Sequence, residues 1–200
     1  MKQTTYKPLV LIAAVAVLSA CATQQSTSGS GWQTLLDGVR GMENFNRVGP
    51  ANVVALDGAI QATVTGTDTG FLVTKESYRD FEIKAELWVS EGANSGIFIR
   101  CDDPVKIGSA TCYEVNVFDK RPDPTYGTGA IVNVAKVDQS YKADGKWNTL
   151  EITAKGPRMT IVLNGQKTVE VDDAKHPAGV FALQYGVGTV KFRSVQVRPL

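Results

Sequence analysis

The chain predicts an all-β fold, an antiparallel sandwich or barrel, on three observations. Apolar residues recur at every second position through most of its length. Gly, Pro, Asn and Asp punctuate these runs at intervals of roughly 8 to 12 residues, the spacing of short strands joined by turns. No run with a helical period outlasts a turn or two. The alternation is strictest in FEIKAELWVS, where Phe81, Ile83, Ala85, Leu87 and Val89 share one face and Glu82, Lys84, Glu86 and Trp88 the other.

Taken in order, the first element is not a strand. Lys2 and Lys7 precede the apolar run from Leu9 to Leu18, and Leu18-Ser19-Ala20-Cys21 follows at once. A basic stretch, a short apolar core and small residues make a secretory leader. The core is too short for a membrane span, which needs roughly 20 apolar residues. The cysteine directly behind the small residues resembles the lipobox of bacterial lipoproteins. That resemblance implies removal of residues 1–20, acylation of Cys21 and, because Ala22 rather than an aspartate follows, an outer-membrane anchor on the periplasmic face. Several acyl chains exceed the two signals that stable anchoring needs. Residues 21–31 are then a lipidated tether, dominated by Ser, Thr, Gln and Gly without apolar periodicity. Residues 32–200 form the folded domain. Loss of Lys2 and Lys7 takes the formal charge from +1 to −1, and no field of one sign is left to attract nucleic acid. Membrane contact is expected through the anchor alone.

Further along, YEVNVFD, WNTLEITAKG, RMTIVLNGQKTVEV, GVFALQYG and VKFRSVQVRPL repeat the period of two. Asn164-Gly165 lies between alternating runs, the strongest short-range hairpin signal. Cys101 and Cys112 flank the polar loop DDPVKIGSAT. In an oxidising compartment two cysteines at the facing ends of a hairpin form a disulfide, the alternative being two free thiols. Two thiols with no histidine nearby make a poor zinc site, and no metal is predicted.

The stretch GANSGIFIRCDD is a strand that ends on an arginine. By alternation Ile97, Ile99 and Cys101 point one way, Phe98 and Arg100 the other. In YEVNVFD, Tyr113, Val115 and Val117 oppose Glu114, Asn116 and Phe118. The first set in each strand is core. The second combines aromatics with a guanidinium, a carboxylate and an amide, as a sugar-binding groove requires: apolar contact for C–H faces, polar groups for hydroxyls. The alternative for Glu114 and Arg100 is a cross-strand ion pair of little energy.

From Trp32 to Leu200 the chain resembles the 3-keto-disaccharide hydrolase family. The resemblance is carried by LLDG, ALDGAI, GFLVTKESYRDFEIKAELWVSEGANSGIFIR, YEVNVFD, GTGAIVNV, WNTLEITAKGPRMTIVLNG, GVFALQYG and VKFRSVQV, in that order. It implies a concanavalin A-like jelly roll of two antiparallel sheets, and action on glycosides whose C3 hydroxyl has become a ketone. Such a ketone acidifies the C2 proton, so cleavage needs one base and a group that stabilises an enolate. Glu114 is the expected base and Arg100 the enolate partner. Asn116 and Gln184 are expected to orient the sugar, with Phe98 beside them; Trp147 either stacks on the sugar or belongs to a core or sheet edge. No cofactor is expected, and the partner is an oligosaccharide or glycoside. The chain departs from the family where many members have glutamine (Asn116 here), tyrosine (Val132) and a histidine just after Leu183-Gln184 (Tyr185-Gly186). The sole histidine, His176, reads as a surface turn residue. A hydrolase or lyase on 3-keto glycosides and a noncatalytic glycan-binding lipoprotein are therefore both open, with an envelope interaction protein as a third reading.

Overall fold

The computed structural model describes residues 1, 2 and 31–200; residues 3–30, which include Cys21 and nearly all of the expected leader and tether, lie outside the described part. Among the described residues no helix is long and apolar enough to cross a membrane.

Among the described residues thirteen strands follow one another, with two single-turn 3-10 segments, Met42–Asn44 and Pro124–Tyr126, between them. They are β1 (Gln33–Asp37), β2 (Phe45–Val48), β3 (Val54–Leu56), β4 (Ala59–Val64), β5 (Gly70–Thr74), β6 (Phe81–Val89), β7 (Ser95–Cys101), β8 (Tyr113–Val117), β9 (Trp147–Lys155), β10 (Arg158–Leu163), β11 (Gln166–Asp172), β12 (Val180–Tyr185) and β13 (Gly188–Pro199). Two antiparallel sheets result. The eight-stranded sheet runs β11-β10-β9-β6-β13-β4-β3, with β1 also paired to β13, and the five-stranded sheet runs β2-β5-β12-β7-β8. This is the all-β jelly-roll sandwich.

Alternation explains the layering. In β6 the five apolar positions are buried and the four between them are not. They meet Ile97, Ile99, Tyr113, Val115, Phe181 and Leu183 of the other sheet in one cluster. Each such Leu, Ile or Phe contributes about 1.5–3 kcal/mol when fully buried. Leu163 pairs with Gln166, so Asn164 (φ 52°) and Gly165 (φ 80°) form the two-residue hairpin turn that their sequence predicts. Cys101 and Cys112 are joined in a disulfide across the β7–β8 hairpin.

The five-stranded sheet breaks the pattern of one dry and one wet face. All residues of β7, β8 and β12 are buried, and a second apolar cluster of Val73, Phe98, Cys101, Cys112, Val180 and Ala182 lies on the outward side. Ile107, from the disulfide-tied loop, packs on it together with Val48 and Phe71.

Candidate functional site

The register across the five-stranded sheet lines up its outward side chains. Phe71 of β5 pairs with Gln184 of β12, Gln184 with Gly96 of β7, and Gly96 with Asn116 of β8. In the next outward row Val73 pairs with Ala182, Ala182 with Phe98, and Phe98 with Glu114. Phe71 and Phe98 meet edge to face at 5.5 Å. Glu114, Asn116, Gln184 and Phe98, four of the residues expected from sequence, thus share one face. They form its floor: Glu114 is 9% exposed, Gln184 7%, Phe98 3% and Asn116 0%.

Burial pushes the Glu114 carboxyl above the usual glutamate range, and the positive field of Arg121 pulls only partly against it. Asn116 donates through Nδ2 to the Tyr126 carbonyl at 2.8 Å, and its Oδ1 has no protein partner. Gln184 Oε1 is likewise buried without a partner. The backbone of β8 is held on its free edge by residues 129–132: Asn116 N donates to Ala130 O, Gly129 N to Asn116 O, and Val132 N to Glu114 O. Asp123 caps the turn that carries the Tyr126 carbonyl, accepting from Thr125 N at 3.0 Å.

Arg100 is not on this face, and the expectation that it joins Glu114 is corrected. Three steps along β7, from Phe98 to Cys101, oppose two along β12, from Ala182 to Val180, and Arg100 takes a left-handed φ of 51°. This β-bulge adds one residue, and one residue reverses every later side chain. Cys101 therefore joins Phe98 on the outward side, while Arg100 crosses to the eight-stranded sheet. Fully buried, it donates to Arg79 O at 2.9 Å (Nε) and 2.6 Å (Nη2), to Gly156 O at 2.7 Å and to Asp80 at 3.2 Å, with its guanidinium 6.0 Å from the Phe81 ring centroid. Its guanidinium clasps the end of the sandwich.

Trp147 is also elsewhere. It pairs with Trp88 in the eight-stranded sheet, 37% exposed, beneath the Arg193 guanidinium at 4.3 Å, so the substrate contact expected of it is corrected to a packing role on the opposite surface. His176 is no surface turn residue. It is 3% exposed, its ring stands edge-on to Tyr113 at 5.0 Å, and Nδ1 lies 2.6 Å from Asp102. Asp119 organises a loop crossing by accepting from Thr128 Oγ1, Ala143 N and Asp144 N. Among the described residues no cluster of three or more His, Cys, Asp or Glu side chains is placed to hold a metal ion.

Residues 31–198 match the model of the 3-keto-alpha-glucoside-1,2-lyase-like domain. The chain belongs to that family. Its function is accordingly carbohydrate-related. Among curated proteins none matches the chain. Among solved structures, a candidate glycosyl hydrolase from Parabacteroides distasonis is 25% identical, covers 84% of this chain and 99% of its own, and superposes with a TM-score of 0.70. A second from the same organism is 16% identical over 85% and 94%, with a TM-score of 0.72. The carbohydrate-binding module CBM66 from Bacillus subtilis shares the fold at 19% identity, with coverage of 84% and 95% and a TM-score of 0.60.

The position at which a histidine is expected in this lyase-like family has a structural answer in this chain. Tyr185 points into the core, fully buried against Phe192 and bonded to Ile60 O, so a side chain there does not reach the outward face. At Gly186 a Cβ would come within 2.3 Å of the Asn94 carbonyl. The backbone of Asn94 fills that space, and Asn94 Oδ1 is another buried oxygen without a partner. Sequence reasoning missed Gly96 and Arg121, whose roles depend on register and on loop placement rather than on local pattern.

Proposed function

We propose that the protein cleaves 3-keto glycosides by abstracting the proton next to the ketone, with Glu114 as the base. The observation that carries this reading is a buried carboxyl of raised pKa on the same face as two unpartnered amide oxygens and an aromatic pair. A general base works best with a pKa near the working pH, and burial moves Glu114 in that direction. Glu114 takes the C2 proton, and the C–H electrons form an enolate on the C3 oxygen. When the ketone re-forms, those electrons make the C1–C2 double bond and the C1–O bond breaks, releasing the aglycone oxygen to be protonated. Arg121, whose field already reaches Glu114, supplies the positive charge that the enolate needs in place of Arg100. Asn116 and Gln184 orient the ring over Phe98 and Phe71.

The test is to incubate the protein with a 3-keto glucoside bearing a chromogenic aglycone. Release of the aglycone with an unsaturated sugar supports the reading; tight binding without release favours a noncatalytic glycan-binding lipoprotein, for which the likeness to a carbohydrate-binding module speaks. We further propose a lipid anchor at Cys21, on the periplasmic face of the outer membrane, supported by the lipobox-like Leu18-Ser19-Ala20-Cys21. Cys21→Ser is expected to move the protein from the membrane to the soluble fraction, and unchanged fractionation refutes the anchor.

A further inference from the structure

Between Gln184 and Asn116 stands Gly96, so the first outward row has a gap one side chain wide. Neighbouring strands lie about 4.8 Å apart, which sets the two amides on backbones roughly 9.6 Å apart with no side chain between them. The gap is built in: a Cβ at Gly96 would come within 2.7 Å of the Val115 carbonyl. The orientation of Asn116 is equally determined. A carbonyl accepts only from the NH2 end of an amide, so the bond to Tyr126 O leaves Oδ1 as the free atom. Asn116 Oδ1 and Gln184 Oε1 are both buried acceptors with no protein donor, a condition proteins rarely tolerate unless water or a ligand supplies the proton. The Glu114 carboxyl, one row along, adds further acceptor oxygens. A sugar hydroxyl brings a proton to such groups; a carboxylate, sulfate or phosphate brings only more lone pairs and a like charge.

We propose that Asn116 and Gln184, facing each other across Gly96, form a subsite that accepts hydrogen bonds from the hydroxyls of one neutral pyranose ring, and that glycosides of uronic acids are rejected there. The proposal rests on the carbohydrate reading of the same face.

The experiment uses the full chain in detergent micelles with four probes: methyl 3-keto-α-glucoside, its C6-carboxylate counterpart, and its 4-deoxy and 6-deoxy analogues. Affinity and, where turnover occurs, kcat/KM are measured for each. The carboxylate is expected to be at least about 100-fold poorer than the neutral sugar, and at least one deoxy analogue to fall by a similar factor, as sites built around a substrate hydroxyl require. Gln184→Met, which keeps the length and removes the amide, should bring the neutral sugar down toward that analogue while changing the analogue little. Thermal melting and an intact disulfide confirm that the variant is folded. Equal handling of the carboxylate, or a uniform loss on all four probes in Gln184→Met, overturns the subsite while leaving a carbohydrate site standing. Failure of every probe to bind or react removes the carbohydrate reading and the subsite with it.

Discussion

Both sheets of the sandwich turn a face outward, and the two faces are composed in opposite ways. On the eight-stranded sheet charges meet their opposites: Lys84 with Glu151 at 3.8 Å, Arg193 with Glu86 at 2.6 Å, Arg158 with Asp172 at 2.7 Å, and Arg198 with Glu82. Its tryptophans are covered too, Trp88 by Lys191 at 5.1 Å and Trp147 by Arg193 at 4.3 Å, while Trp32 lies under Arg198 at 4.9 Å. On the five-stranded sheet two aromatic rings lie bare of such cations, two amide oxygens lack donors, and a carboxyl is held above its ordinary range by burial. A surface whose polar groups satisfy one another has little left to offer a ligand. The face that leaves them unsatisfied is the one to which a ligand is assigned.

The sharpest way to break this contrast is Glu114→Gln. Turnover of a 3-keto glucoside should fall about 10²- to 10⁴-fold, with much less change in affinity. Because the base must be ionised, the parent's kcat/KM should fall on the acid side with a midpoint above the ordinary glutamate range, and that limb should vanish in the variant. Stability should move the other way. The folded state holds the Glu114 proton to higher pH than the unfolded chain, so stability declines as pH rises from the unfolded pKa to the folded one, and the loss persists above it. Glu114→Gln is therefore expected to melt higher than the parent at neutral pH, measured by calorimetry.

Arg100→Met separates architecture from chemistry. It leaves the Arg79 and Gly156 carbonyls without their buried donor and should cost about 3–4 kcal/mol, given the usual worth of charged hydrogen bonds. Chemical denaturation checks the loss, while KM should hold where the protein is folded. Replacing Cys101 and Cys112 together by serine should cost about 2–3 kcal/mol for a loop this short, read as a shift of the denaturant midpoint. The smallest effect belongs to the satisfied face: Arg193→Ala removes an ion pair and a cation over Trp147, yet should change stability by about 1 kcal/mol or less and leave sugar binding untouched. A large loss of binding in that variant would move the site to the other sheet.

Most of the architecture was legible in the period of two. Strand faces in β6, β8 and β12, the Asn164-Gly165 hairpin and the pairing of Cys101 with Cys112 all follow from local pattern and loop position. Placement failed wherever local pattern was overridden at a distance. Counting parity through Arg100 gives the wrong face because nothing in GIFIRC announces the extra residue that β12 leaves unmatched. Trp147 sits at an outward parity, but parity does not say to which sheet a strand belongs. His176, in a stretch with turn-like composition, is buried against Tyr113 of β8 and meets Asp102, just past the end of β7, both distant in sequence. The Gly96 gap and the free oxygen of Asn116 become visible only when four strands are in register and the Tyr126 carbonyl is in place.

That register has a consequence for biogenesis. The row Phe71, Gln184, Gly96, Asn116 draws its second member from β12, near the end of the chain, although β12 sits at the middle of its sheet between β5 and β7. Such non-local pairings form slowly because the intervening chain must be ordered before they are made. A nascent chain that has not yet delivered residues 180–185 has β5 and β7 with no strand between them, each exposing an unpaired edge. Until the last part of the chain is out, the row of outward side chains is incomplete and the protein is at its most prone to misassociate. Synthesis and folding are thereby coupled: this outward face is complete only once the C-terminal third has been inserted into a sheet that the N-terminal half began.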